Sequence, residues 1–525
     1  MDTRRIICAV LAAACLSGCG SKIGSTESVP EQSQETELIT TTAAPDDSEP
    51  AAVTTVPEVE VEAEPVTYKA YSKTVQAEKG TLSGKAKVKN DRPGFEGEGY
   101  VSVPNAESGC AVKFKLPEAQ YYNITLTAAA DKNAVGTLAA GGRSIGEFDV
   151  SAEAGFGLMT FSNIFLEKGE TEFSVSSSSK SFDLDSVTIE ASKDIKNLKI
   201  KPLKSELVNK NASDKAKELY SYICEGYGTR ILTGQHDTWG TLTETRKIYE
   251  LTGRFPAIRG GDLMPYTQAG NEDSDEISRA LEWAADGGIV SYMCHWCDPS
   301  GKTSSCYADE TDFDLSAAVT KEDIALLSPE EIEKLRKDGK ISDQCAEIIA
   351  GIDLISEKLT VLRDAEVPVL WRPLHEASNG YFWWGRDKAS YKWLWKLLYK
   401  RQTEYHKLDN LIWVWSAQSA DWYVGDKYCD IVSCDIYGGS DSGQAERLLA
   451  LREISSKKPA VISECGNLPS ISRIAGENAM WAYIMQWGGS YLLNEDATLN
   501  EENNSLDSLI EFYNNDLTTT RDELS

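Results

Sequence analysis

Two glutamates in the C-terminal half stand at the ends of apolar runs. Glu376 closes Val367-Pro368-Val369-Leu370-Trp371-Arg372-Pro373-Leu374-His375, and Glu464 follows Ala460-Val461-Ile462-Ser463. Two carboxyl groups are what cleavage of a glycosidic bond requires. One protonates the leaving oxygen; the other attacks, or activates water, from the opposite side. The acid must keep its proton near neutral pH, so it belongs in an apolar, shielded place. Trp371, Tyr381, Phe382, Trp383 and Trp384 neighbour Glu376, whereas Ser463, Cys465 and Gly466 flank Glu464. These environments assign Glu376 as acid/base and Glu464 as the ionised nucleophile. His236, His295, His375 and Tyr437 fall at the ends of similar runs, and only His406 of the 4 histidines does not.

For such side chains to meet, the runs must be strands of one sheet. Apolar runs at 231–236, 255–259, 289–293, 367–372, 411–415, 431–435 and 460–464, with a last candidate at 490–493, alternate with helical stretches such as 243–251, 346–364 and 391–406. Nearly continuous apolar strands separated by helices mean a parallel sheet buried on both faces. Eight of them across 213–525 predict a (β/α)8 TIM barrel, with the active residues at the C-terminal strand ends. The polar segment 297–340 is long for a βα loop and is expected to roof one side of the cleft.

The rest of the chain is built differently. All 13 tryptophans lie between Trp239 and Trp487. Residues 66–192 show short alternating runs punctuated by Gly, Pro, Asn and Asp, the pattern of an all-β sandwich (jelly-roll) module. Residues 193–212 are Lys-rich without periodicity and read as a linker. Residues 20–65 carry eleven acidic side chains against Lys22 alone and no aromatic residue, so they form an acidic, self-repelling spacer. The formal net charge of -29 argues against nucleic acid as a partner. Nine cysteines follow Cys19, and free thiols or one or two disulfides both remain open. Cys294-His295-Trp296-Cys297 with Cys306 lacks a second Cys/His pair at zinc-ligand spacing, so zinc is not expected.

Three resemblances add to this. Arg4 and Arg5, the apolar stretch 6–15 and Leu16-Ser17-Gly18-Cys19 resemble a bacterial lipoprotein signal ending in a lipobox. That implies residues 1–19 are a signal peptide and the mature protein is exported, held outside the cell membrane only by lipid on Cys19. The β module resembles carbohydrate-binding module family 35 in Gln76-Ala77-Glu78, Gly97-Glu98-Gly99-Tyr100-Val101 and Asp183-Leu184-Asp185-Ser186-Val187. The resemblance implies a structural calcium with Glu78 and Asp185 among its ligands. Phe156 occupies the stretch where sugar-binding relatives present a Trp.

The segment Trp371-Arg372-Pro373-Leu374-His375-Glu376, then Gly380-Tyr381-Phe382-Trp383-Trp384-Gly385, resembles the acid/base signature of glycoside hydrolase family 26. Ser463-Glu464-Cys465-Gly466 is similar to its nucleophile strand, and Gly234-Gln235-His236 and His295-Trp296 match family positions. The resemblance implies a retaining endo-acting enzyme without a catalytic cofactor, cutting β-1,4-mannosidic bonds in mannan, glucomannan or galactomannan, and a monomer is expected. It makes Glu376 acid/base and Glu464 nucleophile, has His375 and Tyr437 orient the nucleophile, and lines the sugar subsites with His295, Trp296 and Trp422. Tyr381 stands where relatives carry Trp, and Trp383 and Trp384 read equally well as a packed wall. A β-1,3-1,4-glucanase on the same fold is the alternative; a non-catalytic glycan-binding lipoprotein is disfavoured because both glutamates are intact.

Overall fold

Eight parallel strands carry the candidate residues: β1 (Ile231–His236), β2 (Ile258–Asp262), β3 (Ile289–Met293), β4 (Val369–Arg372), β5 (Leu411–Trp415), β6 (Ile431–Ile436), β7 (Ala460–Cys465) and β8 (Tyr483–Gln486). Each pairs with the next, and β8 returns to β1 with Leu232 opposite Tyr483, which closes the barrel. Every residue of β1, β3, β5 and β7 is buried, as strands covered on both faces require. This is the predicted (β/α)8 architecture. The computed structural model describes residues 68–524 apart from 153–154, 202, 239–240, 271–273 and 438–441. The signal-like segment 1–19 with Cys19, and the acidic stretch 20–65, lie outside the described residues.

Two expectations shift. The last strand is not at 490–493: Gly489–Tyr491 is a 3-10 turn, and the strand is the earlier, shorter Tyr483–Gln486. The helix expected over 391–406 spans Lys388–Lys400, capped by Asp387, whose side chain accepts from the Ser390 amide. It then widens into a π turn, Arg401–Tyr405, where Arg401 and His406 both reach Asp353. Segment 297–340 contains the helices Leu315–Ala318 and Pro329–Lys337 and is seated by buried Phe313, Leu315 and Ile324. Its Ala308 amide donates to Tyr381 O at 2.6 Å and its Cys306 carbonyl accepts from the Trp383 amide at 3.1 Å. The insertion is thereby stitched to the loop that follows β4.

The N-terminal module is two antiparallel sheets. One orders Lys87–Lys89, Tyr100–Val103, Phe182–Ala191, Gln120–Ala129 and Gly157–Leu166, with Ser72–Gln76 also on Phe182–Ala191. The other orders Thr81–Ser83, Gly109–Leu116, Gly169–Ser177, Ala134–Ala140 and Arg143–Val150. Inward residues such as Phe114, Phe173, Leu126 and Val187 form one core between them. The connecting segment 193–212 is anchored. Ile195, Leu198 and Leu207 are buried against the barrel, and the Val208 amide donates to Asp430 Oδ1 at 2.7 Å. Tyr121 and Phe165 of the module join the barrel's core; the Tyr121 hydroxyl donates to Glu477 at 2.5 Å and accepts from the Ala445 amide at 3.2 Å.

Candidate active site

The barrel brings the two glutamates to one mouth. Glu464 is the penultimate residue of β7, and Glu376 lies four residues past β4. A carboxylate oxygen of each, and one of Asp435 from β6, lie within 4.8 Å of one another. Arg372, the last residue of β4, sits among them. Its guanidinium donates to Glu464 Oε1, to Asp435 Oδ2 at 3.0 Å and to the Ser416 hydroxyl at 3.1 Å. Tyr437, just past β6, donates its hydroxyl to Glu464 Oε2 at 2.5 Å. Both oxygens of Glu464 therefore face donors, one of them cationic, as suits an anion. Asp435 accepts further from the Ser463 hydroxyl at 2.6 Å and Gln418 Nε2 at 2.7 Å. Three such carboxylates have the spacing of a metal site, but Arg372 already balances two of them.

Glu376 is placed differently. Leu374 and Glu376 have φ of 53° and 49°, a left-handed conformation that costs energy in residues with side chains. The Glu376 amide donates to Ser416 O at 2.9 Å, and the Trp384 indole donates to His375 O at 2.9 Å, which pins the turn. Burial, then the negative charge of Asp435, push the Glu376 carboxyl up to about 7, against the pull of Arg372. It therefore keeps a proton at a pH where ordinary carboxyls have lost theirs.

The histidines frame the pair. His236 Nε2 meets the Ser463 carbonyl at 2.9 Å, so that nitrogen carries the proton, and burial followed by the charge of Arg372 lowers the ring to about 3. The close packing needs Gly260 opposite, where a Cβ would lie 2.3 Å from His236 Nδ1. His375 Nε2 lies 3.2 Å from His295 Nε2, and His295 Nδ1 is 2.6 Å from Asp262 Oδ2. His375 is expected to orient Glu464, but its side-chain hydrogen bond runs to His295, and among the described residues the donors on Glu464 are Arg372 and Tyr437. With both nitrogens of His295 engaged, the Cys294-His295-Trp296-Cys297 segment has no histidine to offer a metal. All nine cysteines after Cys19 are buried thiols, and no disulfide joins them among the described residues.

Comparison with known proteins then fixes the family, because the description "Glycosyl hydrolase family 26" matches residues 208–523. The chain belongs to glycoside hydrolase family 26. It is 32% identical over 472 residues, 86% of this chain and 90% of the relative, to a mannan endo-1,4-beta-mannosidase of Thermothelomyces thermophilus. It is 30% identical to mannan endo-1,4-beta-mannosidase B of Piromyces sp, covering 81% of this chain and 74% of that protein. Among solved structures, the Podospora anserina GH26-CBM35 beta-(1,4)-mannanase is 29% identical with a TM-score of 0.56, covering 86% of this chain and 98% of that one.

Within this family 26 barrel the aromatic residues divide. Trp296 is a correction: it is 2% exposed, edge-on to Trp383 at 5.2 Å, with its indole nitrogen on Gln268. It is wedged between Gln268 of the loop after β2 and Trp383 of the loop after β4, and at this burial it presents no open ring face to a sugar. Trp383 and Trp384 are fully buried and form a packed wall. Trp422, in the loop after β5, is half-buried and packs on Tyr391 at 5.4 Å. Tyr381 is 39% exposed beside Glu376's turn, and Tyr307 of the insertion, 46% exposed, stacks on the adjoining Phe382 at 5.7 Å. Sequence reasoning gives Arg372, Asp435 and Asp262 no role; the fold makes all three part of the site. Trp487, half-buried and 5.0 Å from the His236 ring, is hidden in sequence by the misplaced last strand. In the module, Glu78 and Asp185 do come together: the turn 96–98 donates the Glu96 amide to Asp185 and the Glu98 amide to Glu78.

Proposed function

We propose that this family 26 hydrolase cleaves internal β-1,4-mannosidic bonds of mannan, glucomannan or galactomannan with retention of anomeric configuration. The observation that carries the reading is the Glu376–Glu464 pair. An oxygen of each carboxyl lies within 4.8 Å of the other, which supports the roughly 5–5.5 Å spacing of a double displacement over the ~6.5 Å or more of an inverting pair. Glu464, held by Arg372 and Tyr437, attacks the anomeric carbon while protonated Glu376 gives its proton to the leaving oxygen. A glycosyl ester forms on Glu464. Glu376, now ionised, takes a proton from water, which attacks the ester and releases the sugar. The mannosidase relatives support the substrate. Digestion of mannan, barley β-glucan and xylan, with the first-formed anomer followed by NMR, tests the whole reading. Internal cuts in mannan with β-anomer formed first are expected; release of α-anomer, or preference for β-glucan, overturns it.

Two further parts of the reading concern the N-terminal half. The chain is exported and held at the cell surface by lipid on Cys19, as Leu16-Ser17-Gly18-Cys19 behind Arg4 and Arg5 supports. A structural calcium is bound in the module by Glu78 and Asp185. Among the described residues, buried Gln76 Oε1 and Glu78 Oε2 have no hydrogen-bond partner, and Asp185 is 1% exposed with its carboxyl raised by burial and by the charges of Glu96 and Glu78. A cluster of buried, mutually repelling oxygens is what a hard cation neutralises.

A further inference from the structure

We infer that Asp262 is a positioning residue for the acid/base: through His295 it fixes His375, and with His375 the strained turn that presents Glu376. This rests on the acid/base reading of Glu376. Asp262 ends β2. Its Oδ1 accepts from the Met264 amide at 2.9 Å and the His295 amide at 3.0 Å, and its Oδ2 accepts from His295 Nδ1 at 2.6 Å. A carboxylate has no proton to give, so Nδ1 of His295 must carry one. In a neutral His295 ring, Nε2 is then a bare acceptor. The Nε2 of His375 that faces it at 3.2 Å must be the donor. Burial above all holds His375 in its neutral form, so its single proton is on Nε2 and Nδ1 has none. That agrees with the surroundings of His375 Nδ1, which is buried and meets no acceptor among the described residues. One carboxylate thereby sets the tautomer of two imidazoles in series.

The reason this matters is mechanical. His375 sits between Leu374 and Glu376, both at positive φ. The Ser416 and Trp384 contacts hold that backbone together with the His375 side chain. Without Asp262, His295 is free to carry its proton on Nε2. Two N–H groups then face each other, one ring turns, and the acid/base shifts. A displacement of about 1 Å in a catalytic group costs on the order of a hundredfold in rate.

The test uses the full chain with Asp262→Asn, nearly isosteric but presenting an amide N–H to His295, and His375→Phe, which keeps the ring and removes the bond. kcat/KM is measured on mannan, whose leaving group needs an acid, and on a dinitrophenyl β-mannobioside, whose leaving group does not. Both variants are expected to lose tenfold or more on mannan and under threefold on the aryl glycoside. Added azide, which replaces the base in the second step, should yield glycosyl azide. A purely structural role lowers both substrates alike. Equal loss on both, or no loss on mannan, overturns the inference. Glu376→Ala is the control. A split there without one in Asp262→Asn sinks the positioning role alone; no split in Glu376→Ala sinks the acid/base reading and this inference with it.

Discussion

Glu376 and Glu464 are the same functional group in opposite surroundings. Two donors face Glu464, whereas burial and the nearby Asp435 favour the protonated form of Glu376. In the proposed reaction the first step uses protonated Glu376. kcat/KM on mannan should therefore fall as pH rises through about 7, the position to which this carboxyl is pushed. Asp435→Asn removes a negative charge that helps keep the proton on Glu376, so the falling limb should move to lower pH. A pH–rate profile whose limb stays put or moves up contradicts this. At this scale the sequence was legible where chemistry leaves a mark: two glutamates, histidines at strand ends, aromatic neighbours. It was not legible for Arg372 or Asp435, since a charged residue in an apolar run does not say which strand it faces. Trp296 and Tyr381 look alike as aromatic residues near a histidine or glutamate; only packing separates a core indole from an exposed ring.

Strands buried on both faces were readable because a short, continuous apolar run between helices has to be shielded from water on every side, and the middle of a parallel sheet does that. The last strand escaped because the same signal is weak in a short segment: Tyr483–Gln486 is four residues long, while the apolar run at 490–493 belongs to a turn whose Leu492 merely packs inward. The contact between module and barrel was not legible either, because it joins residues hundreds of positions apart. There Glu477 is buried beside Glu446 and accepts from Tyr121 and from the Gly443 amide. Burial raises its carboxyl to about 7 from an ordinary 4.5. The folded state thus holds this proton more tightly than the unfolded state. Its contribution to stability is full below the unfolded value and is lost as pH rises through about 7, with a slope up to about 1.4 kcal/mol per pH unit. Glu477→Gln should flatten the fall of Tm between pH 5 and 8. Melting curves that keep the wild-type pH dependence would remove Glu477 from the account.

On the scale of the whole molecule, the module and the barrel share buried surface, and the sandwich carries the proposed calcium at Gln76, Glu78 and Asp185. A ligand bound only by the folded state stabilises it in proportion to the logarithm of its concentration over Kd. Removing calcium with EDTA should lower Tm by on the order of 5 °C, and Glu78→Gln should abolish the response. An unchanged Tm in EDTA argues that the three oxygens are neutralised some other way.

The segment 193–212, with Ile195, Leu198 and Leu207 sunk into the barrel, has a consequence for how this protein meets a polymer. A loose tether gives its cargo an effective concentration set by length and stiffness. A bracket does not. Any polysaccharide that the module held would be presented at one fixed offset from the cleft, so the spacing of contacts along the chain, rather than the freedom of a leash, would select which bond arrives between the two glutamates.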